Sequence, residues 1–113
     1  FLDRLVLIIG SEFGRTAHYN QRGENEEERG KDHWQHNSFM VMAPGVAGNR
    51  VLGSTDERVK AKPFPISLNP DDQTGPSAII KAHDLHVSMR KYLGLESIAN
   101  AFPLPEANFD LFA

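Results

Sequence analysis

The chain contains no cysteine. That absence removes disulfides, thiolate metal sites and cysteine nucleophiles together, and it leaves the redox compartment unread. Long hydrophobic runs are missing as well. The apolar stretch at residues 5–9, LVLII, is far short of the roughly 18 residues that a membrane span needs. No signal-peptide pattern is present. Positive charge is not in excess: 12 Lys and Arg face 15 Asp and Glu, for a formal net charge of -3. A general nucleic-acid binder would show a basic face, so the balance argues against that function class, although a single Arg or Lys can still hold a small anion. The glycines spell neither a phosphate loop, nor a dinucleotide fingerprint, nor a Gly-x-Ser-x-Gly nucleophile elbow.

What is there reads as one small domain with one core, residues 1–113, of ordinary globular composition at 40% hydrophobic and 24% charged. The run LVLII, rich in β-branched residues and closed by Gly10, predicts a strand buried on both faces, as in a parallel sheet. Residues 14–37, with Gly14, Gly23, Gly30 and many polar side chains, read as a long loop. Its mixed charge run ENEEERGKD reads as a solvated loop or a single helical turn. A second strand is expected over residues 38–45, stopped by Pro44-Gly45, and a third over residues 50–56. Four prolines between residues 60 and 77 leave little room for regular structure. The Ser54-Thr55-Asp56 and Asp71-Asp72 stretches read as turns. AHDLHVSMRKYLGL is the one firm helix: Ala82, Leu85, Met89 and Leu93 recur at helical spacing, with Val87 and Tyr92 nearby, and Gly94 supplies the stop. The last residues predict a short helix and coil packed along a surface. Three short strands and one helix imply an α/β class with a thin core, and the abrupt start at Phe1 predicts a segment of a longer protein. On that expectation, targeting signals would lie upstream.

Two clusters have the residue types that carry chemistry. SEFGRT follows the first strand, where ligands gather in open α/β sheets. Glu12 can bind a hard or borderline cation, and the Arg15 fork can hold phosphate or sulfate oxygens. A Glu12–Arg15 salt bridge that fixes the turn is the structural alternative. GKDHWQHN offers Asp32 and His33 as adjacent carboxylate and imidazole, which an extended backbone points in different directions. They could serve two ions, or one could brace the other. His36 adds a His-x-x-His spacing. The structural alternative is that Trp34 anchors a loop in the core while the histidines hydrogen-bond around it. A third pair, His83 and His86, lacks the spacing and the Glu of a zinc-protease helix, and Asp84 between them suits a helix N-terminus.

Taken in order, the hydrophobic strand, SEFGRT, GKDHW, SFMVMAPGVAGNRVLGSTD and a helix ending YLGL resemble the C-terminal part of the DUF1501 family, over about residues 4–95. Typical members have Pro where this chain has Ala17 and often Pro where it has Gln35, and the loop AHYNQRGENEEER is long. That family is similar to the sulfatase and alkaline-phosphatase superfamily. The resemblance implies an α/β/α sandwich of which this chain is a C-terminal fragment, with divalent metal (zinc, manganese or calcium) at the strand ends. It implies Glu12, Asp32 and His33 as metal ligands or their supports, and Arg15, Thr16 and His36 on the substrate side. The substrate class it implies is a small anionic phosphate or sulfate ester. The nucleophile and the first metal carboxylates would lie in an upstream part of the same protein, so no catalytic residue is expected here and the fragment alone would be inactive. Family members often carry export signals, which implies an exported, periplasmic parent. The alternative function is a non-catalytic binding or structural module that keeps the fold.

Overall fold

The computed structural model of the chain describes residues 1–98 and 101–113. Its contacts gather into two compact units. One comprises Phe1–Gly45 and Thr55–Lys60, the other Val46–Ser54 and Ala61–Ala113.

The first unit is a nested ribbon. β1 (Leu7–Ile9), β2 (Gly14–Arg15), β3 (His33–Trp34) and β4 (Met40–Met42) follow one another in the chain. β1 pairs with β4 and β2 with β3, both antiparallel. The parallel sheet expected for LVLII is therefore corrected. A parallel neighbour needs a crossover of a dozen or more residues. Here the chain instead reverses within the stretch read as a loop, residues 14–37, which contains the inner hairpin. The burial expectation is corrected too. Ile8 and Val41 are half-buried, but Leu7, Ile9, Met40 and Met42 lie on the other face and are exposed. The two ladders are joined by an uneven link, with residues 10–13 facing residues 35–39. Phe39 covers Gly10 so closely that a Cβ there would lie 2.2 Å from its ring. Asn37 donates to the Ser11 carbonyl and pins the longer side of the link.

The third strand expected over residues 50–56 does not form among the described residues. Gly53 takes a left-handed φ of +81. Asp56 then turns its carboxylate onto the Arg58 and Lys60 amides, at 2.9 and 2.8 Å. Side-chain bonds of this kind compete with a sheet ladder and bend the chain.

In the second unit, β5 (Phe64–Pro65) pairs antiparallel with β6 (Ser77–Ala78) across the proline-rich stretch. The loop between them is organised by Asp72, which accepts from the Ser67 hydroxyl and from the Thr74 and Gly75 amides. The expected helix is present as α1 (Ala82–Tyr92), with Gly94 past its end at φ +67. Its buried face differs from the apolar periodicity. Ala82 and Leu93 are exposed, and the fully buried side chains are Asp84 and Ser88.

The C-terminal strand of coil explains this. Asp84 accepts from the Lys81 amide at 2.7 Å, which caps the helix, and from the Asn108 amide at 2.8 Å, which ties down the tail. Ser88 donates to the Asp84 carbonyl at 2.7 Å and accepts from the Leu111 amide at 2.9 Å. Lys91 pairs with Asp110, and Tyr92 meets Phe112 edge to face. Phe64, Phe109 and Phe112 are the buried apolar side chains among the described residues. The expected tail helix is only a 3-10 turn, Glu96–Ile98, and residues 99 and 100 of that stretch lie outside the described residues.

Asp84→Ala should destabilise the second unit by about 2–4 kcal/mol, read as a lower urea midpoint, because two backbone amides lose the buried carboxylate that accepts from them. Near-wild-type unfolding would contradict this. Acid should act through Asp72. The Ser67 hydroxyl first, then the Gly75 and Thr74 amides, hold its carboxyl below the ordinary carboxylate range. Its contribution to stability is present above that range and is lost as pH falls through the lowered value. Asp72→Asn should flatten this part of the acid unfolding curve.

Candidate functional site

The inner hairpin builds the site from two opposite faces. In the β2–β3 ladder Arg15 lies opposite His33 and Gly14 opposite Trp34. Successive side chains alternate, so Arg15 and His33 share one face and Trp34 takes the other.

On the first face, Phe13 stacks on His33, with ring centroids 3.6 Å apart and planes 19° from parallel. The Arg15 guanidinium lies 4.8 Å from the Phe13 centroid and donates to the Lys31 carbonyl at 2.9 Å. Guanidinium and imidazole thus both contact the Phe13 ring, with Arg15 and His33 exposed. One prong of the Arg15 fork is held, and its other donors make no further hydrogen bond among the described residues. Glu12 is exposed, and no ion pair joins it to Arg15 among the described residues. The salt-bridge reading of SEFGRT is therefore not what the turn uses. A cation–aromatic contact and a backbone carbonyl orient Arg15 instead.

Asp32 is occupied otherwise. Its carboxylate accepts from the Asn20 side chain at 2.9 Å and lies 3.7 Å from Arg22. Its backbone exchanges bonds with Thr16: the Thr16 amide donates to the Asp32 carbonyl, and the Asp32 amide donates to Thr16 Oγ1. Thr16 Oγ1 also donates to the His18 carbonyl at 2.8 Å. Asn20 closes the long loop, since its amide donates to the Gly30 carbonyl at 2.8 Å and its Oδ1 accepts from the Arg22 and Gly30 amides. Beyond that closure the charge run is a single exposed 3-10 turn, Glu26–Glu28. Asp32 and Thr16 are thus joined to the loop, whereas Arg15 and His33 are joined to each other.

On the opposite face, half-buried Trp34 donates its indole N–H to the Val59 carbonyl at 2.6 Å. His36 sits edge-on to Trp34, with centroids 6.1 Å apart, and Nε2 of Gln35 contacts its ring nitrogen. His33 and His36 therefore belong to different groups. Val59 has a left-handed φ of 58. A β-branched side chain there costs about 1–2 kcal/mol. Sequence reasoning missed Phe13, Asn20 and Val59. Asn20 left a faint signal, as a turn-forming residue inside a polar loop, and Val59 left none.

Among the described residues, no three of His, Asp and Glu converge as metal ligands would. Among the described residues no hydrogen bond or ion pair engages the Glu12 carboxylate, while Oδ1 of Asp32 is shared by Asn20 and Arg22. No described helix is long and apolar enough to cross a membrane.

A family model described as "Protein of unknown function (DUF1501)" matches residues 1–108. The chain belongs to the DUF1501 family. That match covers the ribbon, both faces of the hairpin, α1 and the start of the C-terminal strap, the coil of residues 107–113 that packs on α1. No curated protein and no solved structure matches the chain.

Gly14 leaves no room for a side chain in this DUF1501 hairpin. A Cβ at Gly14 would lie 1.8 Å from the His36 carbonyl oxygen. Gly14→Ala should therefore cost roughly 1–3 kcal/mol and separate the Arg15 and His33 strands. A melting curve should show the loss, and the Phe13–His33 ring contacts in NMR spectra should weaken with it. An unchanged melt with intact ring contacts would contradict the close approach.

Proposed function

We propose that this DUF1501 chain contributes one rim of a site for small phosphate or sulfate esters in an alkaline-phosphatase-like, metal-dependent hydrolase. The observation that supports the reading is the Arg15–Phe13–His33 group, in which a guanidinium and an imidazole both contact the Phe13 ring and both residues are exposed. Arg15 would take the ester anion through the donors that Lys31 leaves open. Glu12 and His33 would hold a divalent ion together with ligands from outside these residues, and Asp32 would brace the loop beside them. The ion's chemistry, when bound, is to polarise an ester oxygen. The chain's own contribution is to position the anion and present the imidazole in a fixed orientation. The α/β/α sandwich belongs to the same proposal.

A second reading is favoured by the way Asp32 is spent. Its carboxylate is engaged by Asn20 and Arg22, which suits a non-catalytic module whose polar network only closes a loop.

Metal content and ester kinetics of the intact protein separate the two. The first reading predicts that His33→Ala lowers bound zinc or manganese at least about tenfold. It also predicts that Arg15→Ala leaves metal content alone and raises KM for an aryl phosphate or aryl sulfate about 10–100-fold. Metal binding unaltered by His33→Ala would leave the module reading standing.

A further inference from the structure

The β2–β3 ladder is only two residues long on each side, Gly14–Arg15 against His33–Trp34. So short a ladder has few hydrogen bonds to fix how the strand is rolled about its own axis. His33 nevertheless holds its ring nearly parallel to Phe13. The Thr16–Asp32 bonds hold β3 on the loop side of His33, and the opposite face supplies a second hold at Trp34, on its other side. We infer that the loop of residues 56–60 is a clamp on Trp34 that positions His33 against Phe13 and Arg15.

The clamp can be followed bond by bond. Trp34 is the neighbour of His33 on β3 and points to the other face, so fixing its indole fixes the roll that aims His33. The indole N–H reaches the Val59 carbonyl. That carbonyl is presented by a backbone in the left-handed region, where a valine is rarely found. Residues in such conformations persist only where their surroundings over-determine them. Asp56 does so here. Its carboxylate accepts from the Arg58 and Lys60 amides, its own amide donates to the Lys60 carbonyl, and its carbonyl accepts from the Val59 amide at 3.0 Å. Val59 and Asp56 are therefore positioning residues. They act through Trp34 and touch neither an ion nor an ester. The inference rests on the proposed site only for its purpose. The clamp itself is a statement about Trp34 and His33 geometry, and it stands or falls without any activity.

Trp34 is the one tryptophan in these 113 residues, and its indole N–H signal is assigned by its loss in Trp34→Phe. The experiment measures hydrogen exchange at that signal and the cross-relaxation between the Phe13 and His33 rings, in metal-free protein. Val59→Pro forbids the left-handed φ and removes the amide that donates to Asp56. It should speed indole exchange at least tenfold and erase the Phe13–His33 ring contact. Val59→Gly, which accepts the left-handed φ freely, should keep both. If Val59→Pro does not fold, Asp56→Ala and Trp34→Phe put the same question, and each should weaken the ring contact. A Phe13–His33 contact of wild-type strength in Asp56→Ala or Val59→Pro, with the indole exchanging freely, would overturn the clamp. A wild-type ring contact in Trp34→Phe would do the same.

Discussion

The candidate site depends on one close approach of two backbones. At Gly14 the carbonyl of His36 fills the space that a side chain would need. With that space closed, β2 and β3 can pair, and pairing puts Arg15 opposite His33. Phe13 then contacts both an imidazole and a guanidinium, and the Arg15 fork turns to the Lys31 carbonyl. The long loop beyond needs no core of its own, because the Thr16–Asp32 bonds and the Asn20 side chain close it as a continuation of the same ribbon.

The second unit follows a different rule. Its helix buries a carboxylate and a hydroxyl where apolar side chains were expected. Burying Asp84 is tolerable because backbone amides from two directions, Lys81 and Asn108, meet its charge. A polar contact of this kind also has direction, which an apolar face lacks. It fixes which residue of the strap meets which turn of the helix.

How much of this was legible in the sequence varies with the range of the interaction. Gly94 as a helix stop, Asp84 as an N-terminal residue and Pro44-Gly45 as a strand end are local effects, and each stands where residue chemistry puts it. The pairing sense of LVLII was not legible, because five apolar residues look alike in a parallel and an antiparallel neighbour. The inner hairpin was hidden because its strands are two residues long and its loop is polar throughout. The buried face of α1 was misread for a related reason. Periodicity finds apolar stripes, and the strap binds through Asp84 and Ser88. In the site, Arg15 and His33 were visible as residue types, and the ordered blocks already resembled DUF1501. Their contact through Phe13 came only with the register, and the strain at Val59 leaves no mark in the sequence.

The central claim is that Glu12 and His33 take part in holding a divalent ion beside an Arg15 anion contact. Anomalous diffraction from crystals of the intact protein grown with zinc or manganese tests it most directly. The account predicts a peak about 2.0–2.2 Å from both a Glu12 carboxylate oxygen and a His33 ring nitrogen. A peak ligated by other residues alone, with His33 still stacked on Phe13 and Glu12 turned to solvent, would contradict it.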